Sequence, residues 1–258
     1  MTNTKAIEQY DVKKYRTPDG YTSDIAVFTI VSEKIEEYKP SKMELKLLLI
    51  QRSAFNAEGH HNIEASKWAL PGGFVGETES ALEAAKRELA EETGVNGIHL
   101  KHFGVYDQPG RDPRGWIISN AHYAIVPEAA LIHRSANDDA ENVELFTLDE
   151  VFSLDLAFDH RQIIEDAITE IRKDLLQTTV AKNFLPTLFT YSELQAVLLT
   201  ATDDPVIALS QSFARKIKTL PFIEEVKGQT TTRTSKKPTQ LYRFNDTEVI
   251  KSIFSARY

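Results

Sequence analysis

Residues 73–95 read GFVGETESALEAAKRELAEETGV, and this stretch decides the fold. Gly73 is followed after five residues by Glu79, and after seven more by Arg87-Glu88-Leu89-Ala90-Glu91-Glu92-Thr93-Gly94-Val95. The segment 79–92 is rich in Ala, Leu, Glu, Lys and Arg and stops at Gly94, which predicts a strong helix with a glycine C-cap. Glu88, Glu91 and Glu92 stand at i, i+3 and i+4, so this spacing puts them on one helical face. Three like charges there repel one another. A hard divalent cation removes that cost, and oxygen-only ligands suit Mg2+ or Mn2+. Such ions bridge diphosphate oxygens, neutralise charge on a leaving phosphate and activate water. Gly72 and Gly73 let the preceding loop turn sharply and bring backbone close to a metal–phosphate cluster. The competing reading is a solvated Glu-rich face with ion pairs such as Glu83 with Arg87. The flanking glycines at fixed distances weigh against it, since the whole pattern arises by chance on the order of once in ten million chains of this length.

Outward from the helix, residues 22–31 and 44–51 are β-branched or apolar runs that read as strands, joined by a polar hairpin loop. Further strands are expected at 99–106, 116–126 and 142–146. Strands on both sides of a central helix suggest a mixed sheet in an α/β sandwich. After Phe158 the pattern turns helical. Asp159 reads as an N-cap for a helix over 160–176, with Ile163, Ile164, Ala167, Ile168, Ile171 and Leu175 along one face. Thr190-Tyr-Ser-Glu193 is a capping box. A third helix is expected over 205–219, then short strands at 222–226 and 240–244 around a basic loop. Helices followed by a two-stranded hairpin make a winged helix-turn-helix.

Composition sets the class. Of 258 residues, 41% are hydrophobic and 26% charged, which fits a globular protein with a sizeable core. There is no apolar run long enough for a bilayer and no signal-like start, so no membrane partner is expected. The absence of cysteine excludes disulfides and thiolate metal sites and suits the cytoplasm. The net charge of −8 is unevenly spread: residues 205–258 hold ten Lys/Arg against four Asp/Glu. That basic end suggests a second domain with a polyanionic partner, or ordinary variation in surface charge.

A second constellation lies in the turn-rich loop 107–116. Arg111 and Arg114 offer planar forks for phosphate oxygens, and Trp116 offers a stacking face for a nucleobase. A surface loop with a partly buried Trp would carry the same residues. Arg52, ending the second strand, is either a phosphate contact or a surface ion-pair partner. Trp68 either walls the ligand pocket or belongs to the core. Water activation falls to one of the helix glutamates or to a loop acid, Asp138, Asp139 or Glu141. In the basic tail, Ser210, Gln211, Arg215 and Lys218 are candidate groove contacts, with Arg233, Lys236 and Lys237 on DNA phosphates. The alternative is a small packing domain whose positive face aids dimerisation.

The pattern from Gly73 to Val95 resembles the box of the Nudix hydrolase superfamily. That resemblance implies Glu88, Glu91 and Glu92 as metal ligands, with Gly73 beside the metal. It also implies that Arg87 and Glu79 hold loop and helix in register through a salt bridge. The Arg-Asp-Pro-Arg-Gly-Trp loop, following Trp-Ala-Leu-Pro-Gly-Gly-Phe, looks like the ADP-ribose-type branch. Leu156-Ala-Phe-Asp-His160, the capping box at Thr190 and the final Lys-Pro-Thr-Gln-Leu-Tyr resemble Nudix-related transcriptional regulators of NAD metabolism. In those regulators a Nudix domain senses ADP-ribose or a related NAD metabolite, and a C-terminal winged helix binds an operator as a homodimer. Their wing commonly carries Gly-Arg-Pro where this chain has Lys236-Lys237-Pro238, so charge is kept and the glycine turn is not. The expected fold class is α+β: a Nudix α/β/α sandwich with mixed sheet over 1–158, then a linker helix and winged helix over 159–258. The expected activity is Mg2+- or Mn2+-dependent hydrolysis of a nucleoside diphosphate derivative, with ADP-ribose giving AMP and ribose 5-phosphate. The alternative is an ADP-ribose-sensing DNA-binding regulator, with or without hydrolysis. Such regulators often lose box carboxylates, and here all are present.

Overall fold

The central strand of the sheet is buried on both faces, and the rest of the architecture follows from that. The computed structural model describes residues 3–11, 13–14, 16–55, 59–93, 99–131 and 140–247, and leaves out the side chains of residues 3, 6, 92, 93, 140 and 141. A short helix, α1 (Asn3–Glu8), precedes β1 (Gly20–Glu33) and β2 (Lys42–Arg52). Two short strands, β3 (Trp68–Ala69) and β4 (Gly72–Phe74), lead to α2 (Ala81–Thr93). Then come β5 (His99–Tyr106), β6 (Ile117–Ile125), β7 (Ala140–Thr147), the short α3 (Leu148–Val151) and the long α4 (His160–Gln177). The sheet runs β3-β2-β1-β6-β5, with β4 also on β1 and β7 on β2. Only the β1–β6 pair is parallel among these ladders, so the sheet is mixed.

Side chains of β1 alternate between two cores, as a period of two requires. Ile25 and Val27 meet Ala85 and Leu89 of α2. Ala26 and Phe28 meet Ile163, Ile164, Ala167 and Ile171 of α4 on the opposite face. Two helical layers therefore sandwich one sheet, as the sequence predicts. The α4 core continues without a break through Val180, Phe189, Leu194, Val197, Phe213 and Tyr242, which belong to the C-terminal elements. Val180 opens a 3-10 turn (Val180–Phe184) and Phe189 bridges Tyr242; the elements that follow are α5 (Tyr191–Leu199), α6 (Pro205–Ala208), α7 (Ser210–Lys216), and a hairpin of β8 (Ile223–Thr231) with β9 (Thr239–Phe244). This is a winged helix.

Three local expectations are corrected. Helix α2 begins at Ala81 because Ser80 and Glu83 form a capping box: the Glu83 carboxylate accepts the Ser80 N–H at 2.8 Å. Glu83 is thereby occupied, and the ion pair with Arg87 that the competing reading of a solvated face invoked is not formed. The single helix expected over 205–219 is two short helices and a 3-10 turn, since Leu209 has an extended ψ of 101°. The wing strand β8 runs on to Thr231 because pairing resumes beyond a bulge, Thr230 with Gln240 and Thr231 with Thr239. No described helix is long and apolar enough to cross a membrane.

Candidate functional site

Helix α2 lies across the Gly72–Phe74 strand, and Arg87 joins the two. Its guanidinium donates to Glu79 Oε1 and Oε2 at 2.7 and 3.2 Å and to the Phe74 carbonyl at 3.1 Å. Its Nη1 also donates to Glu88 Oε1 at 2.7 Å and Glu91 Oε2 at 3.2 Å. One cation thus gathers three carboxylates and one carbonyl. The Arg87 bonds, then the Gly76 N–H, hold the Glu79 carboxyl below the usual glutamate range. Glu88 differs: burial pushes its carboxyl up, although Arg87 opposes this. A Cβ on Gly73 would collide with the Glu88 carboxylate, so glycine is required for this close approach. Gly72 has φ 155° and its own Cβ would strike the Ser23 carbonyl.

Glu88 and Glu91 offer hard oxygen donors only, gathered by Arg87, with the Glu88 carboxylate close to the Gly73 backbone. That donor set fits Mg2+ or Mn2+. Among the described side chains no group of three or more His, Cys, Asp or Glu that could hold a metal is gathered. The third glutamate, Glu92, has its side chain outside that description, as does Glu141, while Asp138, Asp139, Gly94 and Val95 lie outside the described residues.

Gly72 and Gly73 also line a pocket with three arginines, Arg52, Arg111 and Arg114. Each is held differently. Arg114 donates to both oxygens of Asp112, at 2.6 Å from Nη2, and lies 5.0 Å from the Phe74 ring centre and 5.2 Å from that of Phe158. Arg52 faces Phe158 at 5.2 Å and donates to the Ile63 carbonyl and Asn62 Oδ1. Arg111, 3% exposed, is bidentate with Asp159 at 2.8 and 2.6 Å. Burial alone would raise the Asp112 carboxyl, but the Arg114 bonds outweigh it and hold it low. Phe158 has φ 50°, a left-handed conformation that is rare for a bulky residue and clusters at functional sites.

The two tryptophans lie elsewhere. Trp68 packs edge-on against Phe146 at 4.7 Å and joins the α4-side core. Trp116, 40% exposed, donates its backbone N–H to Asp19 and lies under Arg16 at 5.9 Å, in a neighbouring groove with Gln108, Pro109 and Pro113. Asp112 borders both spaces. Sequence reasoning did not assign Asp24, Asp112, Phe158, Asp159 or His160, all of which line or brace the arginine pocket. The segment 156–160 was marked in the sequence by Asp159 as a helix start and by its likeness to a family, and neither pointed to this pocket.

In the winged helix, Gln195 of α5 donates to the Ala208 carbonyl and accepts from Ser210, fixing α5 against α6 and α7. Gln211, Arg215 and Lys218 are exposed opposite the buried Phe213 and Ile217, and Lys236 and Lys237 are exposed in the wing. Ser210 is exposed beside them. Arg233 is committed to another partner: it grips both oxygens of Glu193 at 2.7 Å, and Glu193 also completes the capping box with Thr190.

Residues 38–167 match the NUDIX domain, and residues 181–244 match the NrtR DNA-binding winged helix domain. The chain belongs to the Nudix family. Along most of its length this Nudix protein is 30% identical, over 243 residues, to the ADPR responsive transcriptional repressor NtrR of Acinetobacter baylyi, spanning 92% of this chain and 86% of that one. It is 37% identical over 162 residues to the ADP-ribose pyrophosphatase of Methanocaldococcus jannaschii, spanning 63% and 82%. Shewanella oneidensis NrtR has the same architecture, with a TM-score of 0.69 at 28% identity over 90% of this chain and 99% of that one. That protein is also known in complex with a 27mer DNA, with a TM-score of 0.68 at 28% identity over 90% and 98% of the two chains. Its NUDIX domain is known with ADP ribose, with a TM-score of 0.51 at 30% identity over 66% and 99%. The Nudix domain and its winged helix are thus homologous to those of the ADP-ribose-responsive NrtR regulators.

Proposed function

We propose that this protein binds ADP-ribose in the arginine pocket, cleaves its diphosphate beside α2, and reports pocket occupancy to operator DNA through the winged helix. The carrying observation is the Gly72–Gly73 backbone, which approaches the Glu88 carboxylate and also lines the pocket that holds three arginines. In this reading Arg52, Arg111 and Arg114 take the phosphates, and Trp116 with Arg16 offers a face for the base. Glu88, Glu91 and Glu92 would hold Mg2+ or Mn2+, with Gly73 backbone beside them. Such an ion, when bound, neutralises phosphate charge and activates water. Arg87 and Glu79 keep the carboxylates and the glycine strand in register.

Residues 1–158, with Asp159 and His160 at the start of α4, then carry the ligand chemistry, and the rest of 159–258 forms the linker helix and DNA reader. Ser210, Gln211, Arg215 and Lys218 face a major groove, with Lys236 and Lys237 on phosphates. Arg233, tied to Glu193, serves the wing's position before any phosphate. Two-fold operators imply a homodimer, and a DNA partner implies the cytoplasm.

A second reading, sensing without turnover, is favoured by the likeness to a repressor over most of both chains. The discriminating experiment incubates the full chain and Mg2+ with ADP-ribose, NADH, diadenosine polyphosphates and nucleotide sugars. The proposal expects AMP and ribose 5-phosphate from ADP-ribose. Tight ADP-ribose binding with no product across the panel would favour the pure sensor.

A further inference from the structure

The arginines account for phosphates and leave two buried polar groups of the same pocket, Asp24 and His160, without a role. His160 opens α4 and is 4% exposed. Its Nδ1 accepts the Leu70 N–H at 2.9 Å. A ring nitrogen that accepts a hydrogen bond carries no proton, so the proton of the neutral ring is on Nε2. Nε2 stands 4.0 Å from Asp24 Oδ2, beyond hydrogen-bond reach, and both residues line the pocket. Asp24 Oδ2 already accepts the Ser119 hydroxyl at 2.5 Å and lies 3.6 Å from Arg111 Nη2.

The result is a fixed N–H donor and a fixed carboxylate acceptor, 4.0 Å apart, that one oxygen beside them can bridge from the pocket. An oxygen about 2.9 Å from each would complete both bonds, provided that it accepts from Nε2 and donates to Asp24. A phosphate oxygen accepts but is repelled by the carboxylate. An ether or carbonyl oxygen has no proton to give, and an ammonium has no lone pair for the N–H. Water and a hydroxyl satisfy both, and of the groups a nucleoside diphosphate carries, the sugar hydroxyl is the one that can take the place of water. Burial keeps the ring less basic than an ordinary histidine, Asp24 opposing, so His160 stays a neutral donor and adds no further cation to the pocket.

We propose that Asp24 and His160 form a hydroxyl-reading pair that recognises one sugar hydroxyl of the nucleoside diphosphate ligand and sets the pocket's preference for ribose. This deepens the proposed ADP-ribose reading and rests on it. The arginines supply affinity for any diphosphate, and the pair supplies discrimination, because a ligand without the hydroxyl leaves the His160 N–H without its acceptor and Asp24 with one bond fewer.

The test measures dissociation constants by calorimetry on the full chain in EDTA, which prevents turnover. The probes are ADP-ribose and its mono-deoxy analogues, with each ribose hydroxyl removed in turn. The variants are Asp24→Asn and His160→Asn, the latter because Asn Oδ1 can replace Nδ1 as acceptor for Leu70 while the Nε2 donor is lost. One analogue is expected to bind wild type about tenfold or more weakly than ADP-ribose. Both variants should bind ADP-ribose about tenfold more weakly and no longer distinguish that analogue. Equal binding of all analogues by wild type, or variants that weaken every ligand alike with the preference intact, would overturn the inference while leaving the ADP-ribose reading standing. Failure of wild type to bind ADP-ribose at all would overturn both. Should His160→Asn not fold, the wild-type analogue series and Asp24→Asn decide.

Discussion

Arg111 holds Asp159 through two hydrogen bonds of 2.8 and 2.6 Å, and so claims the carboxylate standing at the N-cap position of α4, which makes no cap bond of its own. The pocket and the helix that leads to the winged helix therefore share one ion pair. Removing Asp159 leaves a buried guanidinium uncompensated, a change that costs about 3–5 kcal/mol in comparable sites. Asp24, 3.6 Å from Arg111, provides partial compensation and puts the expectation for Asp159→Ala at the lower end. Adding Arg111→Met should recover much of the loss in urea denaturation. Losses that simply add would show that the pair is not coupled.

Glu79 is joined to Glu88 and Glu91 through Arg87. Glu79→Gln is expected to lower Mg2+-dependent turnover about 10- to 100-fold, the usual cost of losing a group that orients metal ligands. The melting temperature should hardly move. Full activity in the variant would remove Arg87 from its proposed place in the site.

His122 contributes to the acid limb of stability. Burial, followed by the neighbouring His102, lowers it to about 4 from an ordinary 6.5, and its Nδ1 lies 3.1 Å from Ser23 Oγ. The unfolded chain therefore binds the proton that the folded chain refuses. This contribution to stability is complete above pH 6.5 and lost as pH falls toward 4, amounting to about 3 kcal/mol. His122→Gln should flatten the stability profile over that window, read by urea melts at successive pH values. An unchanged slope would show that another group governs the acid limb.

The winged helix gives a prediction that needs no operator sequence. Lys218→Ala and Lys236→Ala should each reduce the slope of log affinity for duplex DNA against log salt by about 0.9. Arg233→Ala should behave differently, lowering melting temperature as well, because it frees Glu193 and the start of α5. Fluorescence anisotropy across a salt series separates these cases, and a slope untouched by either lysine substitution would exclude that face from the interface.

Much of the architecture was legible because it depends on local period. Helix α2 and strand β5 follow from spacing, composition and glycine, and Thr190 and Glu193 cap α5 within four residues. The pocket was only half legible. Arg111 meets Asp159 across 48 residues and His160 meets Leu70 across 90, contacts that no local pattern encodes. Asp159 marks the helix start, as its residue type suggests, yet its carboxylate serves a distant partner. In the loop 107–116, Gly110 and Gly115 at positive φ turn the chain so that Arg111 and Arg114 enter the pocket and Trp116 does not. Spacing gives the order of those residues along the loop and not the side to which each one points.

The division between a binding pocket and a cleaving helix is tested most directly by Glu91→Gln, measured for ADP-ribose affinity and for AMP release with Mg2+. The account predicts that affinity stays within a few-fold of wild type while AMP release is lost. Turnover equal to wild type would contradict it, because the carboxylates of α2 would then have no part in the chemistry.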